Sequence, residues 1–120
     1  MVSKILLVLM LMAVPRGEPV VKLSFTSLGF GHVTVGKKSA PKDITLSNVG
    51  NALLVISRIT ISGTNAGDFS ETNNCGVWVI QGRSCTINVT FAPSAPGTRT
   101  ATLSIYDNAG GSPHMLDMGA

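Results

Sequence analysis

The stretch CTINVTFAP, residues 85–93, decides the fold class, because apolar and polar side chains alternate along it from the cysteine to the phenylalanine. The apolar side chains that this alternation places on one face are Cys85, Ile87, Val89 and Phe91. A period of two residues is typical of a β-strand with one buried face. Pro93 lacks a backbone N–H and ends the strand. The stretch therefore predicts a half-buried strand.

The same alternation recurs on both sides of this strand. It is found in residues 42–51, 53–63, 99–111 and 114–118, and in two short pieces within residues 23–36 that break at Gly29 and Gly31. Asn- or Gly-containing turns separate these segments. The pattern predicts an all-β domain of about seven short antiparallel strands. The spacing by itself fits either a β-sandwich or a small barrel.

Two details refine the expected core. Leu54 and Ile56 share one face of their strand, but the next apolar pair is Ile59 and Ile61, so the inward register shifts by one residue. A β-bulge, or a strand that changes sheet, causes such a shift. The phenylalanines have no common spacing and are expected in the core rather than in a binding stripe; they are Phe25, Phe30, Phe69 and Phe91.

The N-terminus predicts export. Lys4 precedes the apolar run ILLVLMLMAV, residues 5–14, which matches a secretory signal and is too short for a membrane helix of roughly 20 residues. We therefore divide the chain into a signal peptide or N-terminal apolar segment, residues 1–18, and one domain, residues 19–120. The cleavage site is poor, so a tethered form and a piece of a larger protein remain alternatives. Membrane contact is expected only through this segment, if it is uncleaved.

Charge argues against a nucleic-acid partner. The formal net charge is +3, and loss of Lys4 and Arg16 with the N-terminal segment would leave +1. Lys37, Lys38 and Lys42 cluster in GKKSAPK, residues 36–42, where a solvated turn is the favoured interpretation. Contact with an anionic lipid or envelope polymer is the alternative, so the three lysines are candidate partner contacts.

The two cysteines predict a disulfide. Cys75 and Cys85 are ten residues apart, and an even cysteine count beside an export signal favours a bridge over two reduced thiols. His32 and His114 are isolated in the sequence, and neither a CxxC nor an HxxxH spacing is present. We therefore expect no metal and no cofactor.

The titratable residues do not suggest catalysis. No two acidic residues share a strand face at the spacing that paired carboxylates need, and Asp68 is expected to bond nearby backbone in a turn. We predict that the chain is not an enzyme. Trp78 lies between the cysteines and is the best candidate contact residue: it either caps the core from a loop or is an exposed anchor for a glycan or protein.

The stretch from about residue 19 to residue 120 resembles the bacterial choice-of-anchor D repeats, relatives of the ASH/Hydin immunoglobulin-like folds. The resemblance lies in the order and spacing of LSFTSLGFGHVTVG (23–36), ITLSNVGNALLVISRITISGTNAGDFS (44–70) and CGVWVIQGRSCTINVTFAPSAPGTRTATLSIYDNAGGSP (75–113). It implies an immunoglobulin-like β-sandwich of about seven antiparallel strands, without catalytic residues, in secreted or cell-envelope bacterial proteins, often as one unit of a repeat array.

Three functions remain open. The first is a structural or protein-interaction module of an exported or cell-envelope protein, with association through an exposed edge strand as its mechanism. The second is a recognition module that binds a glycan or a protein through Trp78 and the lysines. The third is a cytosolic scaffold like the eukaryotic relatives, which requires that residues 5–14 are not an export signal.

Overall fold

The computed structural model describes residues 17–120, and these residues form a sandwich of two β-sheets. The all-β, immunoglobulin-like prediction is confirmed. Residues 1–16 of the predicted signal segment, residues 1–18, lie outside the described residues, and they include its apolar run. No helix within residues 17–120 is long and apolar enough to cross a membrane.

Nine strands make up the two sheets of the described chain. They are β1 Val21–Leu23, β2 Ser27–Gly29, β3 Lys42–Asn48, β4 Leu54–Ser62, β5 Phe69–Asn73, β6 Trp78–Val79, β7 Ser84–Phe91, β8 Thr100–Asp107 and β9 His114–Gly119, with a short 3₁₀ helix at Ala66–Asp68. One sheet has the order β1-β3-β7-β5 and the other β2-β9-β8-β4-β6. All pairs are antiparallel except β2 with β9, which is parallel.

The additional strands are β5 and β6, which the sequence pattern did not reveal. Both are edge strands, and neither carries the regular alternation of β7. In the opposite sense, residues 33–35 were expected to be extended but lie in the loop between β2 and β3. Edge strands and loops are only partly buried, so hydrophobic periodicity is weak in both and does not distinguish them.

The core fills the space between the sheets with the inward residues that alternation predicts. In β7, Cys85, Ile87, Val89 and Phe91 are all buried, and Ile44 and Leu46 of β3 are fully buried beside them. The predicted register shift in β4 is confirmed, because its pairing with β8 is irregular between Ile56 and Arg58.

Three of the four phenylalanines form one aromatic cluster in the core. The ring centroids of Phe30, Phe69 and Phe91 lie 4.8 to 5.8 Å apart, the range that favours tilted and edge-on contacts. The prediction was wrong for Phe25, which is 50% exposed. Phe25 lies where the chain crosses from β1 in one sheet to β2 in the other, so its side chain can face solvent.

The side chain of Asn48 joins the two sheets at one end of the sandwich. Asn48 is fully buried at the end of β3, and its Oδ1 accepts hydrogen bonds from the backbone N–H of Val20 (3.3 Å) and Gly50 (3.1 Å). Its Nδ2 donates to the carbonyls of Ala52 (2.7 Å) and Val79 (2.9 Å). An amide side chain has two donor hydrogens and two acceptor lone pairs, so all four positions are used.

Asp68 has a comparable role at the other end. Its buried carboxylate accepts hydrogen bonds from Arg99 Nε (2.6 Å) and Ser94 Oγ (2.7 Å), and Arg99 Nη2 also donates to Ser94 Oγ (2.9 Å). The expected bond to nearby backbone is thus replaced by bonds to distant side chains. The bonds from Arg99 and then Ser94 lower the pKa of Asp68 from its ordinary value of 3.8 to about 2.

We predict that Asn48→Ala lowers the free energy of unfolding by about 2–4 kcal/mol, because it leaves buried backbone groups without partners. Urea denaturation followed by circular dichroism measures the change. Asn51→Ala is the matched control, since Asn51 lies in the same turn, is exposed and accepts one hydrogen bond, from Glu18 N. Equal losses in the two variants would contradict the special role of Asn48.

We predict that the stability contribution of Asp68 depends on pH. The folded pKa is below the unfolded one, so the contribution is complete above pH 4 and is lost as the pH falls toward 2. Asp68→Asn should therefore be less stable than the natural protein at pH 7, with the difference narrowing between pH 4 and pH 2. Thermal unfolding across this range tests it, with the exposed Asp117→Asn as control; a constant difference would refute the assignment.

Candidate partner-binding surface

Six exposed apolar side chains gather at the end of the sandwich where Asn48 lies. They are between 40% and 66% exposed, and we call them the apolar end: Val20, Val49, Leu53, Val77, Trp78 and Ile80. This is the end at which β3 and β8 finish and β4 and β7 begin. Single exposed apolar residues are ordinary on a protein surface, but a group of them indicates a contact surface.

Backbone hydrogen bonds hold the segments of the apolar end together. Val49 N donates to Val20 O at 2.8 Å, Ile56 N to Val77 O at 2.8 Å, and Gly82 N to Asn48 O at 2.8 Å. Asn48 also donates hydrogen bonds to the carbonyls of Ala52 and Val79. Its side chain therefore links the turn after β3 to strand β6.

A second asparagine fixes the start of β4 in the same way. Asn108 Oδ1 accepts the N–H of Val55 at 2.8 Å, and Asn108 Nδ2 donates to Leu53 O at 3.3 Å. Exposed Leu53 is therefore held by the turn that follows β8. The loops of the apolar end are preformed rather than free.

Trp78 is the most exposed large apolar side chain among the described residues, at 66%. It lies in strand β6, opposite Val55 of β4, and not in a loop as the sequence suggested. Its neighbour Val79 points inward and is buried. Since residues alternate sides along a strand, burial of Val79 directs Trp78 outward. Trp78 therefore does not cap the core but is exposed, and its role as an anchor for a partner stays a prediction.

The predicted disulfide is present, and it closes the segment of the chain that contains β6. Cys75 follows β5 and Cys85 lies in β7, with Cα atoms 4.9 Å apart, so the bridge connects the segment after β5 to the strand that pairs with β5. Closing so short a loop stabilises a fold by roughly 2–3 kcal/mol on the chain-entropy model. Trp78 therefore extends from a short segment that is enclosed by the disulfide and paired with β4.

The structure does not bring the three lysines to Trp78. The loop before Lys42 lies at the opposite end of the sandwich, where Ser39 N donates to Phe91 O at the end of β7, while Cys85 lies at its start. A strand of this length spans roughly 20–25 Å. The single composite site of tryptophan and lysines is thus excluded.

The lysines themselves have different environments. Lys37 and Lys38 are exposed in the loop, as a solvated turn predicts. Lys42 instead donates to the carbonyl of Gly29, and its Nζ lies 5.7 Å from the ring centroid of Phe30. Lys42 is thus bonded although it is exposed, whereas Lys37 and Lys38 make no side-chain hydrogen bond within residues 17–120; a partner contact of the three lysines stays a prediction.

The titratable groups serve structure elsewhere. His114 was expected to be isolated, but its Nε2 lies 3.2 Å from Oδ2 of Asp107, whose side chain is buried. Within residues 17–120, no three histidine, cysteine or acidic side chains form a group that could hold a metal.

The residues that sequence reasoning missed are Asn48 and Asn108, for which the only signal was an asparagine at each strand end before a turn.

Solved structures with the same fold come from different kinds of protein. A Porphyromonas gingivalis W83 protein of unknown function has a TM-score of 0.73 at 20% identity, covering 91% of this chain and 50% of that one. The ASH/PapD-like domain 7 of human CEP192 has 0.59 at 13%, covering 82% of each chain. The secreted serine protease VesC of Vibrio cholerae has 0.57 at 15%, covering 85% and 22%. This chain thus spans half or less of the two bacterial proteins.

Sequence comparison identifies a family that covers the domain. No curated protein matches the chain. The family described as HYDIN/CFA65/VesB-like, Ig-like domain matches residues 19–120. The matched range includes every strand from β1 to β9, so the likeness extends over the whole domain, and the chain belongs to the HYDIN/CFA65/VesB-like family of Ig-like domains.

Proposed function

We propose that this domain is a non-catalytic interaction module of an exported or cell-envelope protein of the choice-of-anchor D type, and that it binds a protein partner through its apolar end. One observation carries the proposal: Trp78 is 66% exposed on a strand that is braced by β4 and closed by the disulfide. An indole exposed to water is unfavourable, and a partner that covers it removes this apolar area from water.

The surroundings of Trp78 suit a protein contact. Tryptophan is enriched among the few residues that supply most of the energy of an interface, because it buries a large area with few rotatable bonds. A rigid anchor also loses little conformational entropy on binding. The flanking Val77 and Ile80 are each 57% exposed and extend the apolar surface on either side.

The engagement of the charged groups supports a non-catalytic role. Asp68 is paired with Arg99, and Asp107 Oδ1 accepts the backbone N–H of Ala109 at 2.8 Å, so both carboxylates are bonded within the fold. An acid or base that works in catalysis must instead reach a substrate. Membership of an Ig-like family agrees with this role.

A glycan is the alternative partner, and one feature favours it. A hollow of about 380 Å³ lies beside Trp78, and its lining includes Asn74 and Arg83. An aromatic face next to an amide and a guanidinium offers both stacking and hydrogen bonds to a sugar ring. The protein partner is preferred because the exposed side chains around Trp78 are apolar.

Export rests on the disulfide. A bridge between Cys75 and Cys85 persists in oxidising compartments and is rare in the cytosol. Likeness to a secreted bacterial protease agrees with this setting, whereas likeness to a human ASH domain fits the cytosolic scaffold alternative.

We predict that Trp78→Ala reduces retention of the protein on the exported proteins of its source at least tenfold, through loss of a central anchor. Retention on immobilised exported proteins and, separately, on purified envelope polysaccharide is measured for both forms. Phe25→Ala is the control, because Phe25 is half exposed but lies outside the apolar end. Loss on polysaccharide alone would favour the glycan; no loss on either material would reject Trp78 as the contact.

We predict that the natively expressed protein lacks its N-terminal segment and has no thiol that reacts with an alkylating reagent. Intact-mass analysis with and without reductant reads both properties at once. A full-length mass with two alkylated thiols would instead support the cytosolic scaffold.

A further inference from the structure

The hollow beside Trp78 combines apolar and polar side chains. Its volume is about 380 Å³, and Trp78 and Ile80 supply apolar lining while Asn74, Arg83 and Ser84 supply polar lining. We call it the indole hollow. Its volume is in the range of sites that receive a side chain or a small ligand.

The amide of Asn74 offers only its donor atom to the indole hollow. Asn74 Oδ1 accepts the backbone N–H of Thr86 at 2.7 Å, which fixes the orientation of the amide and leaves the two hydrogens of Nδ2 for a partner. Nearby, Ser84 Oγ and Ser47 Oγ lie 2.8 Å apart. One hydroxyl hydrogen lies between them and the other stays unused.

Arg83 supplies the charge of the indole hollow. Its backbone is fixed on both sides, because Arg83 N donates to Ile80 O at 2.9 Å and Arg83 O accepts the N–H of Asn48 at 3.0 Å. Among the described residues, its exposed guanidinium has no ion pair, no hydrogen bond and no stacked ring. A guanidinium has five N–H donors and no acceptor. An unused cation therefore lies beside the exposed indole.

The exposed charges around the apolar end sum to a positive value within residues 17–120. They are one acid, Glu18, and two bases, Lys22 and Arg83, and Glu18 forms an ion pair with neither base. Lys22 lies opposite Ser47, and Ser47 opposite Ser84, so two strand spacings, roughly 10 Å, separate the backbones of Lys22 and Ser84. A surface of this charge favours a partner that presents an anionic group.

We propose that the protein partner of the apolar end presents an acidic side chain next to an apolar one, and that Arg83 binds this carboxylate in the indole hollow while the apolar side chain covers Trp78. This inference rests on the proposed protein-binding function and names the chemistry of the partner. A carboxylate accepts two parallel N–H bonds from a guanidinium, an arrangement roughly twice as strong as neutral hydrogen bonds. Arg83 is then the residue that determines specificity.

Partners of other chemistry fit this site less well. A purely apolar segment would cover the guanidinium of Arg83 without giving it an acceptor, which is unfavourable. A neutral sugar offers hydroxyl groups, whose bonds to a guanidinium lack the second charge. Anionic membranes and nucleic acids are bound by clusters of many cations, whereas two bases and one acid are exposed here. The number of charges fits a single carboxylate.

Three capped peptides test the proposal: acetyl-Gly-Leu-Glu-Leu-Gly-amide and the same peptide with glutamine or lysine at the centre. None contains tryptophan, so emission comes from Trp78, the single tryptophan of the chain. We expect a saturable shift to shorter wavelength as the indole leaves water. The glutamate peptide should bind about tenfold more tightly than the glutamine peptide, because it adds a charged hydrogen-bond partner, and the lysine peptide should bind most weakly.

Two results with the natural protein would overturn the proposal. Equal binding of the glutamate and glutamine peptides would show that no carboxylate is recognised. Absence of a shift with the glutamate peptide, titrated into the millimolar range, would show that the indole hollow does not take this ligand. Either result leaves retention of exported proteins through Trp78 intact as the proposed function, since that test does not depend on Arg83.

Variants of Arg83 identify the group that reads the carboxylate. Arg83→Gln should bind the glutamate and glutamine peptides equally, and Arg83→Glu should prefer the lysine peptide. The position is exposed, which favours folding, and circular dichroism verifies it. Arg58→Gln is the matched control, because exposed Arg58 lies over the ring of Tyr106, outside the apolar end, and its loss should keep the preference for glutamate. A preference that persists in Arg83→Gln would contradict the assignment.

Two other anionic materials separate the partner classes. Phosphatidylglycerol vesicles and polygalacturonate are titrated with the same emission signal. If either one shifts the emission of Trp78 while the glutamate peptide does not, the apolar end binds a membrane or an acidic polysaccharide, and the acidic protein segment is rejected.

Discussion

The buried side chain of Asn48 is the constraint on which the rest of this structure depends. A polar amide in the core is costly unless every hydrogen-bonding position is used, and here the four positions bond backbone groups from the segment before β1, the turn after β3 and strand β6. Those segments belong to both sheets. One satisfied side chain therefore fixes how the sheets meet at this end, which hydrophobic contact, being non-directional, does not do.

The exposure of the apolar end follows from this constraint. The bond from Asn48 to Val79 O and the pairing of β6 with β4 fix the strand, and alternation then leaves Trp78 no inward direction. An indole on a loose loop would fold over the nearest apolar surface. Here the backbone prevents that, so the apolar area stays available to a partner.

The other end is organised around a charged group instead of a neutral amide. Asp68 is buried with Ser94 and Arg99, and this cluster supports the loop that connects β7 to β8. At both ends a buried polar side chain holds the loops through its hydrogen bonds, and several of these bonds reach residues distant in the sequence. A domain built this way is suited to contacts at its ends, where the carboxylate of Asp68 and the amide of Asn48 hold the loops.

The sequence by itself determined the strands with regular alternation, the core residues of β3, β7 and β8, the bulge in β4 and the cysteine pair. These are local properties, because the alternation of apolar and polar residues shows both the strand and its buried face within a short stretch of sequence. Only the tertiary structure decided that β5 and β6 complete the sheet edges, that Phe25 faces solvent, and that Trp78 and the loop containing Lys37 lie at opposite ends. Those outcomes depend on pairing between distant segments and on hydrogen bonds such as that from Asn48 to Val79, 31 residues apart, for which periodicity carries no signal.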